Sequence, residues 1–258
     1  MNEMILPLLV AAFVAACASL LGSFAILKKM ALVGDAMSHV ALPGMGLAVL
    51  FKFNPFIGAV AFLIISVIGI WVVEYKTSLS LDTIVGVFFT TSLAIGALIT
   101  PNQDLLEALF GNITELSALE SVISICLSVF LIFALFYIHK KLTLCMISAE
   151  IAHSVGIQTR KLEFFYLLIF ALAVALGIRF VGALLMGSLV IIPAASAKNI
   201  AKSLRAFLTW SMIFGVIAAT LGIYISYSRK LAPGPVFILI SSFFFIASLV
   251  IMQLRKTR

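Results

Sequence analysis

Apolar residues along this chain do not recur with the period of a half-buried helix or strand; they run on for about twenty positions at a time between short polar or basic breaks. Runs near 5–27, 30–51, 55–75, 82–100, 118–138, 162–178, 181–197, 206–227 and 235–254 each approach the roughly 20 residues that a helix needs to cross a hydrocarbon core about 30 Å thick. The pattern predicts an all-α fold, a polytopic transmembrane bundle of about nine spans. Its tightest joint is at Arg179, where two runs meet with almost no loop. A re-entrant segment there would change the count to eight or ten.

Composition agrees: of 258 residues, 64% are hydrophobic and 10% charged, with mean hydropathy +1.26. Nine spans use roughly 180 positions, which leaves no room for a separate catalytic domain and makes residues 1–258 a single transmembrane domain. No GxxxxGK[ST] phosphate loop is present, so any ATP-driven work falls to a partner chain. An intramembrane enzyme fits poorly as well. There is no HExxH helix and no GxSxG elbow, and the histidines (His39, His139 and His153) do not cluster.

In a soluble protein the net charge of +7 would point to nucleic acid, but here the basic residues flank the apolar runs and imply none. With nine spans and the N-terminus outside, thirteen of them fall inside: Lys28, Lys29, Lys76, Lys140, Lys141, Arg160, Lys161, Lys198, Lys202, Arg205, Arg255, Lys256 and Arg258. Four fall outside: Lys52, Arg179, Arg229 and Lys230. This is the bias of the positive-inside rule, and it places the C-terminus in the cytoplasm. The opening MNEMILPLLV has Glu3 and no basic stretch before its apolar run, so the first run reads as a permanent span and not a cleaved signal. Cys17, Cys126 and Cys145 are odd in number and widely spaced, against a disulfide framework or a zinc knuckle.

Two polar stretches are long enough to act. The outer one, Pro101 to Ser117, interleaves Asp104, Glu107 and Glu115 with leucines and suits a short surface helix. Gln103, Asp104, Glu107 and Glu115 are candidates for an outer vestibule that gathers cations, or for a plain solvated face. The inner stretch, about 147–161, has Ser148 as N-cap, Glu150 in the first turn and Gly156 to end a helix of about two turns. Ile147, Ile151 and Val155 recur every four residues and put an apolar stripe on it. Such a stripe needs a groove in another protein, or packs back on its own bundle.

The second run carries Asp35 and His39. An ionised Asp in mid-span costs about 2.5–3.5 kcal/mol and therefore faces protein or a water-filled path. Four residues apart is one helical turn, so carboxylate and imidazole share a face. Pro43 has no N–H for the His39 carbonyl, and Gly44 and Gly46 follow, which predicts loosened backbone beside the pair. Three readings stay open here: a buried hydrogen-bonded Asp–His tie, a proton relay, and ligation of a divalent metal. If two copies meet about a two-fold axis, two carboxylates and two imidazoles supply four ligands of a kind that suits zinc or manganese.

The strings MALVGDAMSHVALPG, AEIAHSVG, VGALLMGSLVIIPAASA and LAPGPVFIL together resemble the permease subunits of ATP-binding-cassette importers for zinc and manganese. The likeness spreads from about residue 22 to residue 240. It implies half of a homodimeric channel working with two cytoplasmic ATPase subunits, which hold the ATP, and an extracytoplasmic metal-binding protein, in the plasma membrane. It carries no permanently bound cofactor; Zn2+ or Mn2+ is cargo. It further implies that Asp35 and His39 line the translocation path as metal ligands. In the same way it implies that Glu150, Ala152 and Gly156 belong to a segment docking in a groove of the ATPase, with Ser148, Ile151 and Val155 beside them. Relatives often carry an acid shortly before the last outer Pro-Gly, where this chain has Arg229 and Lys230. Those two, with Arg179, are candidates to hold carboxylates of the binding protein, or to anchor at the interface. The rival reading is an ion-coupled secondary metal carrier that needs no ATPase.

Overall fold

The computed structural model describes residues 2–30, 32–99 and 118–256. Among these there are helices and no strands, as the unbroken apolar runs require: inside a bilayer each backbone N–H must find a carbonyl within its own segment. In chain order they are α1 (Asn2–Leu27), α2 (Val33–Val40), α3 (Leu42–Leu50), α4 (Pro55–Lys76), α5 (Leu81–Ile99) and α6 (Ala118–Ile147). There follow α7 (Ala149–Ser154), α8 (Thr159–Val181), α9 (Ala183–Ile200), α10 (Leu204–Arg229) and α11 (Pro233–Lys256). Eight spans are long and apolar enough to cross a membrane, with α2 and α3 counted as one, and Leu185–Ile200 of α9 is a shorter apolar ninth.

The nine runs thus appear, with two differences. The run placed at 118–138 is a helix to Ile147, because His139, Lys140 and Lys141 continue its backbone ladder beyond the apolar part. The second run is two helices, α2 and α3, meeting at Ala41. The joint at Arg179 is a single residue: Gly182, at φ 84° and ψ 163°, ends α8 and begins α9. That conformation is open almost to glycine alone, so two antiparallel-capable helices follow with no loop between them.

At the centre α1 and α9 pack on each other, and both touch α8 and α10; α11 packs on α9 and α10. Water is not the solvent here, so helices associate through close van der Waals contact between small residues. Gly22 of α1 lies so near α9 that a Cβ would overlap the Val190 carbonyl. Ser211 of α10 donates its hydroxyl to the Ser19 carbonyl of α1 at 2.7 Å, both buried. Gly44 and Gly58 place the backbones of α3 and α4 in direct contact, each filling the space of the other's missing side chain. Gly44 thus fastens α3 to α4, while the break that the sequence predicts beside the Asp–His pair lies at Ala41.

Three lysines lie in the left-handed region among the described residues: Lys29 (φ 60°), Lys52 (φ 57°) and Lys230 (φ 53°). Each follows the end of a helix. At the first two, reverse hydrogen bonds close the last turn, Met30 N–H to Ala25 O at 2.9 Å and Phe53 N–H to Ala48 O at 2.9 Å.

Candidate metal site

Asp35 and His39 sit on α2, a helix of eight residues lying against α9, α5, α8 and α4. Its entry is set by the turn after α1. Its position against α9 is set by two glycines: Gly34 faces Val190, and a Cβ on Gly187 of α9 would fall 2.7 Å from the Asp35 Cβ. Ser38, fully buried, donates to the Asp35 carbonyl at 2.7 Å and so satisfies its hydroxyl within the helix. Phe89 of α5 covers the imidazole, ring centroids 5.4 Å apart at 57°.

The pair shares a face, as its spacing predicts. Asp35 Oδ1 and His39 Nε2 are 3.9 Å apart, too far for a hydrogen bond, so the reading of a closed Asp–His tie does not describe it. Two ligands held by one metal at about 2.0–2.2 Å lie roughly 3.4 Å apart at the tetrahedral angle and roughly 4.2 Å apart when opposed. The observed gap falls between these limits.

Exposure differs sharply between the two. The His39 side chain is 10% exposed and that of Asp35 45%. The Asp35 side chain therefore stands open on the surface of one chain, where a charged group facing lipid is costly. The buried His39 Nδ1 meets no hydrogen-bond partner among the described residues, a cost of about 1–3 kcal/mol that packing alone gives no reason to bear. No group of three or more His, Cys, Asp or Glu side chains gathers there or elsewhere among the described residues. One chain brings together two side chains, Asp35 and His39, of the kind that can hold a metal.

The backbone breaks beside the pair as the sequence predicts, α2 ending at Val40 and α3 beginning at Leu42, with the N–H of Ala41 turned toward the His39 carbonyl. Pro43 itself sits in the first turn of α3, where a missing N–H costs nothing. Gly187, like Gly182, reads from sequence as a small residue that allows close helix contact, and here the contact is with Asp35. Sequence reading missed Phe89 and Ser38, although Ser38 lies inside the GDAMSH string.

The inner segment folds as its caps predict. Ser148 Oγ accepts the N–H of Ile151 at 3.2 Å. Gly156, at φ 79°, ends α7 with Gly156 N–H to His153 O and Ile157 N–H to Ala152 O, both 3.0 Å. Ala152 is buried against the chain's own bundle, while Ile147, Ile151 and Val155 all stand exposed. The small side thus packs inward and the apolar stripe faces out, uncovered by the described residues. Glu150 is exposed beside it.

At the opposite end of α8, Arg179 forms an ion pair with Glu120 of α6 at 2.7 Å. Its charge already has a carboxylate of this chain. Arg229 and Lys230, at the end of α10, are exposed. Gln103, Asp104, Glu107 and Glu115, the vestibule candidates, lie outside the described residues. Among the cysteines, Cys17 is buried in the core, Cys126 is exposed and all are free thiols.

A polytopic helical bundle with a carboxylate and an imidazole on one face of a spanning helix defines a membrane transport protein. The model of the ABC 3 transport family matches residues 1–252, and the chain belongs to that family. It is 33% identical over 235 residues to the high-affinity zinc uptake system membrane protein ZnuB of Haemophilus influenzae, covering 89% of this chain and 90% of that one. It is 31% identical over 248 residues to the manganese import system permease protein ScaB of Streptococcus gordonii, covering 95% and 89%. Among solved structures, PsaBC from Streptococcus pneumoniae in complex with Fab matches at TM-score 0.84 and 28% identity over 96% of this chain and 91% of that one. The chain is a multi-pass membrane protein.

Proposed function

We propose that this chain is the permease subunit of an ATP-driven importer of zinc or manganese in the plasma membrane, and that residues 1–258 act as one permease domain with N-terminus outside and C-terminus inside. The observation that carries the reading is the Asp35–His39 pair: 3.9 Å apart, not bonded to each other, with the carboxylate open on the surface of a single chain. Two such chains about a two-fold axis bring two carboxylates and two imidazoles together, the four ligands that neither chain holds alone. The similarity to zinc and manganese uptake proteins supports the same cargo and disfavours a lone secondary carrier.

The motor is a pair of cytoplasmic ATPase subunits. The exposed stripe of Ile147, Ile151 and Val155, capped by Ser148 and Gly156 and flanked by Glu150, docks in a groove on the ATPase, with Ala152 holding α7 to the bundle. Closure of the ATPases on ATP then changes the side to which the metal pair opens. Metal arrives from an extracytoplasmic binding protein. Arg229 and Lys230 meet its carboxylates, while Arg179, bound to Glu120, braces α8 against α6. Gln103, Asp104 and Glu107 are assigned to the outer approach on their sequence alone. No cofactor stays bound; the metal passes through.

The test is uptake into vesicles. With the cognate ATPase, binding protein and ATP, 65Zn or 54Mn accumulates; this chain without ATPase gives none, and uptake by the chain alone would return the secondary carrier. In the same system Ile151→Asp with Val155→Asp is expected to stop the ATPase from co-purifying. Retention of the ATPase by that variant removes the docking role of α7.

Close approach at the pair yields a further expectation. In Gly187→Ala the added methyl lies 2.7 Å from the Asp35 Cβ and 2.9 Å from its Cα, so α2 must shift by a few tenths of an ångström or more. Displacements approaching 1 Å cost on the order of 100-fold in well-placed sites, and uptake is expected to fall about tenfold at unchanged ATPase assembly. Wild-type uptake in Gly187→Ala would mean that the position of Asp35 is not critical.

A further inference from the structure

Where α7 ends, the chain turns at Gly156 and enters α8 at Thr159, so the first two turns of α8 are the part of the bundle into which the docking helix leads. Those two turns are gripped from both sides. Toward α1, Glu163 Oε1 binds Lys28 Nζ at 2.8 Å; the lysine side chain is 9% exposed and its ammonium lies 5.4 Å from the centroid of the Tyr166 ring. One turn deeper, the Tyr166 hydroxyl, fully buried, donates to the Leu21 carbonyl of α1 at 3.3 Å. Toward α4, the Arg160 guanidinium stacks on Tyr75 at 4.9 Å and Phe164 meets Trp71 edge-on at 5.5 Å. Glu74 of α4 lies in the field of Glu163, Lys28 and Arg160, so the cluster holds two carboxylates against two cations.

Lys28 has a particular place. It follows the last residue of α1, and a left-handed turn at Lys29 leads from it to Val33, where α2 begins, and thence to Asp35. The 2.8 Å ion pair therefore joins the segment that leaves the docking helix to the segment that enters the metal helix. α8 also packs directly on α2, and the ion pair adds a polar link to that apolar contact. A half-buried pair braced by an aromatic ring suits this task, since water screens it little and its geometry is held by Tyr166.

Resting on the proposed function, we propose that Lys28 and Glu163 form the tie through which displacement of the docked segment reaches α2. They are positioning residues: neither touches metal nor ATP. Cutting the tie leaves the ATPase docked and turning over while the metal pair no longer follows.

The experiment uses the whole complex in vesicles, with 65Zn or 54Mn as probe, and reads metal uptake and ATP hydrolysis together. Lys28→Gln and Glu163→Gln are each expected to lower metal moved per ATP about tenfold with hydrolysis retained. Lys28→Arg, which keeps the charge and its place over Tyr166, should stay near wild type, and Lys28→Glu with Glu163→Lys should recover part of the loss. Folding is checked on each variant by its thermal midpoint in detergent, and Glu163→Gln, at the more exposed partner, serves if Lys28→Gln does not fold. Unchanged metal per ATP in either Gln variant overturns the tie, as does parallel loss of uptake and hydrolysis, the signature of a merely structural or docking role. A wild-type complex that moves neither metal would refute the proposed function itself; a working wild type with unaffected variants refutes the tie alone.

Discussion

Asp35→Asn is expected to abolish ATP-driven metal uptake while the complex still assembles. Replacing the carboxylate by an amide keeps size and hydrogen-bonding capacity but removes the charge that meets a cation stripped of its water, and it does so in both copies of the site. Loss of a group one step removed from a metal already costs 10–100-fold in affinity; loss of a ligand should reach at least the upper figure, on the order of 100-fold in uptake. His39→Leu is the companion, with a second readout. The imidazole is buried with Nδ1 unpartnered, so an apolar residue of similar volume removes an unsatisfied polar atom and should raise stability by about 1 kcal/mol as it abolishes uptake. A rise in thermal midpoint joined to loss of transport identifies a residue kept for function at the expense of the fold. Normal uptake in either variant would remove the metal pair from the mechanism.

The largest effect on the fold is expected at Gly22. Its α-carbon lies against the Val190 carbonyl of α9, and a methyl group placed there overlaps backbone and not a side chain that could swing away. α1 and α9 must part, and with them the Ser211–Ser19 bond and the seat of α2 on Val190. Overpacking of this kind costs about 3 kcal/mol or more, and Gly22→Ala should lower the thermal midpoint and the yield of monodisperse protein. Gly86→Ala is the control: a Cβ there meets nothing within 4 Å, and the better helix propensity of alanine should be neutral or stabilising by up to about 1 kcal/mol. Equal behaviour of the two variants would show that close α1–α9 contact does not hold the bundle.

Much of the site was legible because its logic is local. One turn separates Asp35 from His39 whatever the rest of the chain does, and a charged group in a long apolar run announces itself by its cost. The caps of α7 are likewise local, since Ser148 and Gly156 act within a few residues of themselves. The break after His39 was legible too, since α2 ends at Val40 and α3 begins at Leu42, but the place of Gly44 was not. Pro43 and Gly44 were read from their own chemistry, yet the role of Gly44 is decided by Gly58, fourteen residues on and in another helix.

From residue order alone followed the helical fold, the number and approximate bounds of the spans, the shared face of carboxylate and imidazole, and the apolar stripe on the short helix α7, though not the side it faces. These depend on period, length and transfer energy, quantities that need no neighbour. Tertiary structure decided what lies across from each residue: that Gly187 sets the place of Asp35, that Phe89 covers His39, that Arg179 is already matched by Glu120, and that Lys28 finds Glu163 across 135 positions of chain. Nearly every span here is apolar around most of its circumference, so hydrophobicity does not say which face meets which helix. Small-residue contacts and a few buried polar bonds make that choice, and they become visible only when the helices are assembled.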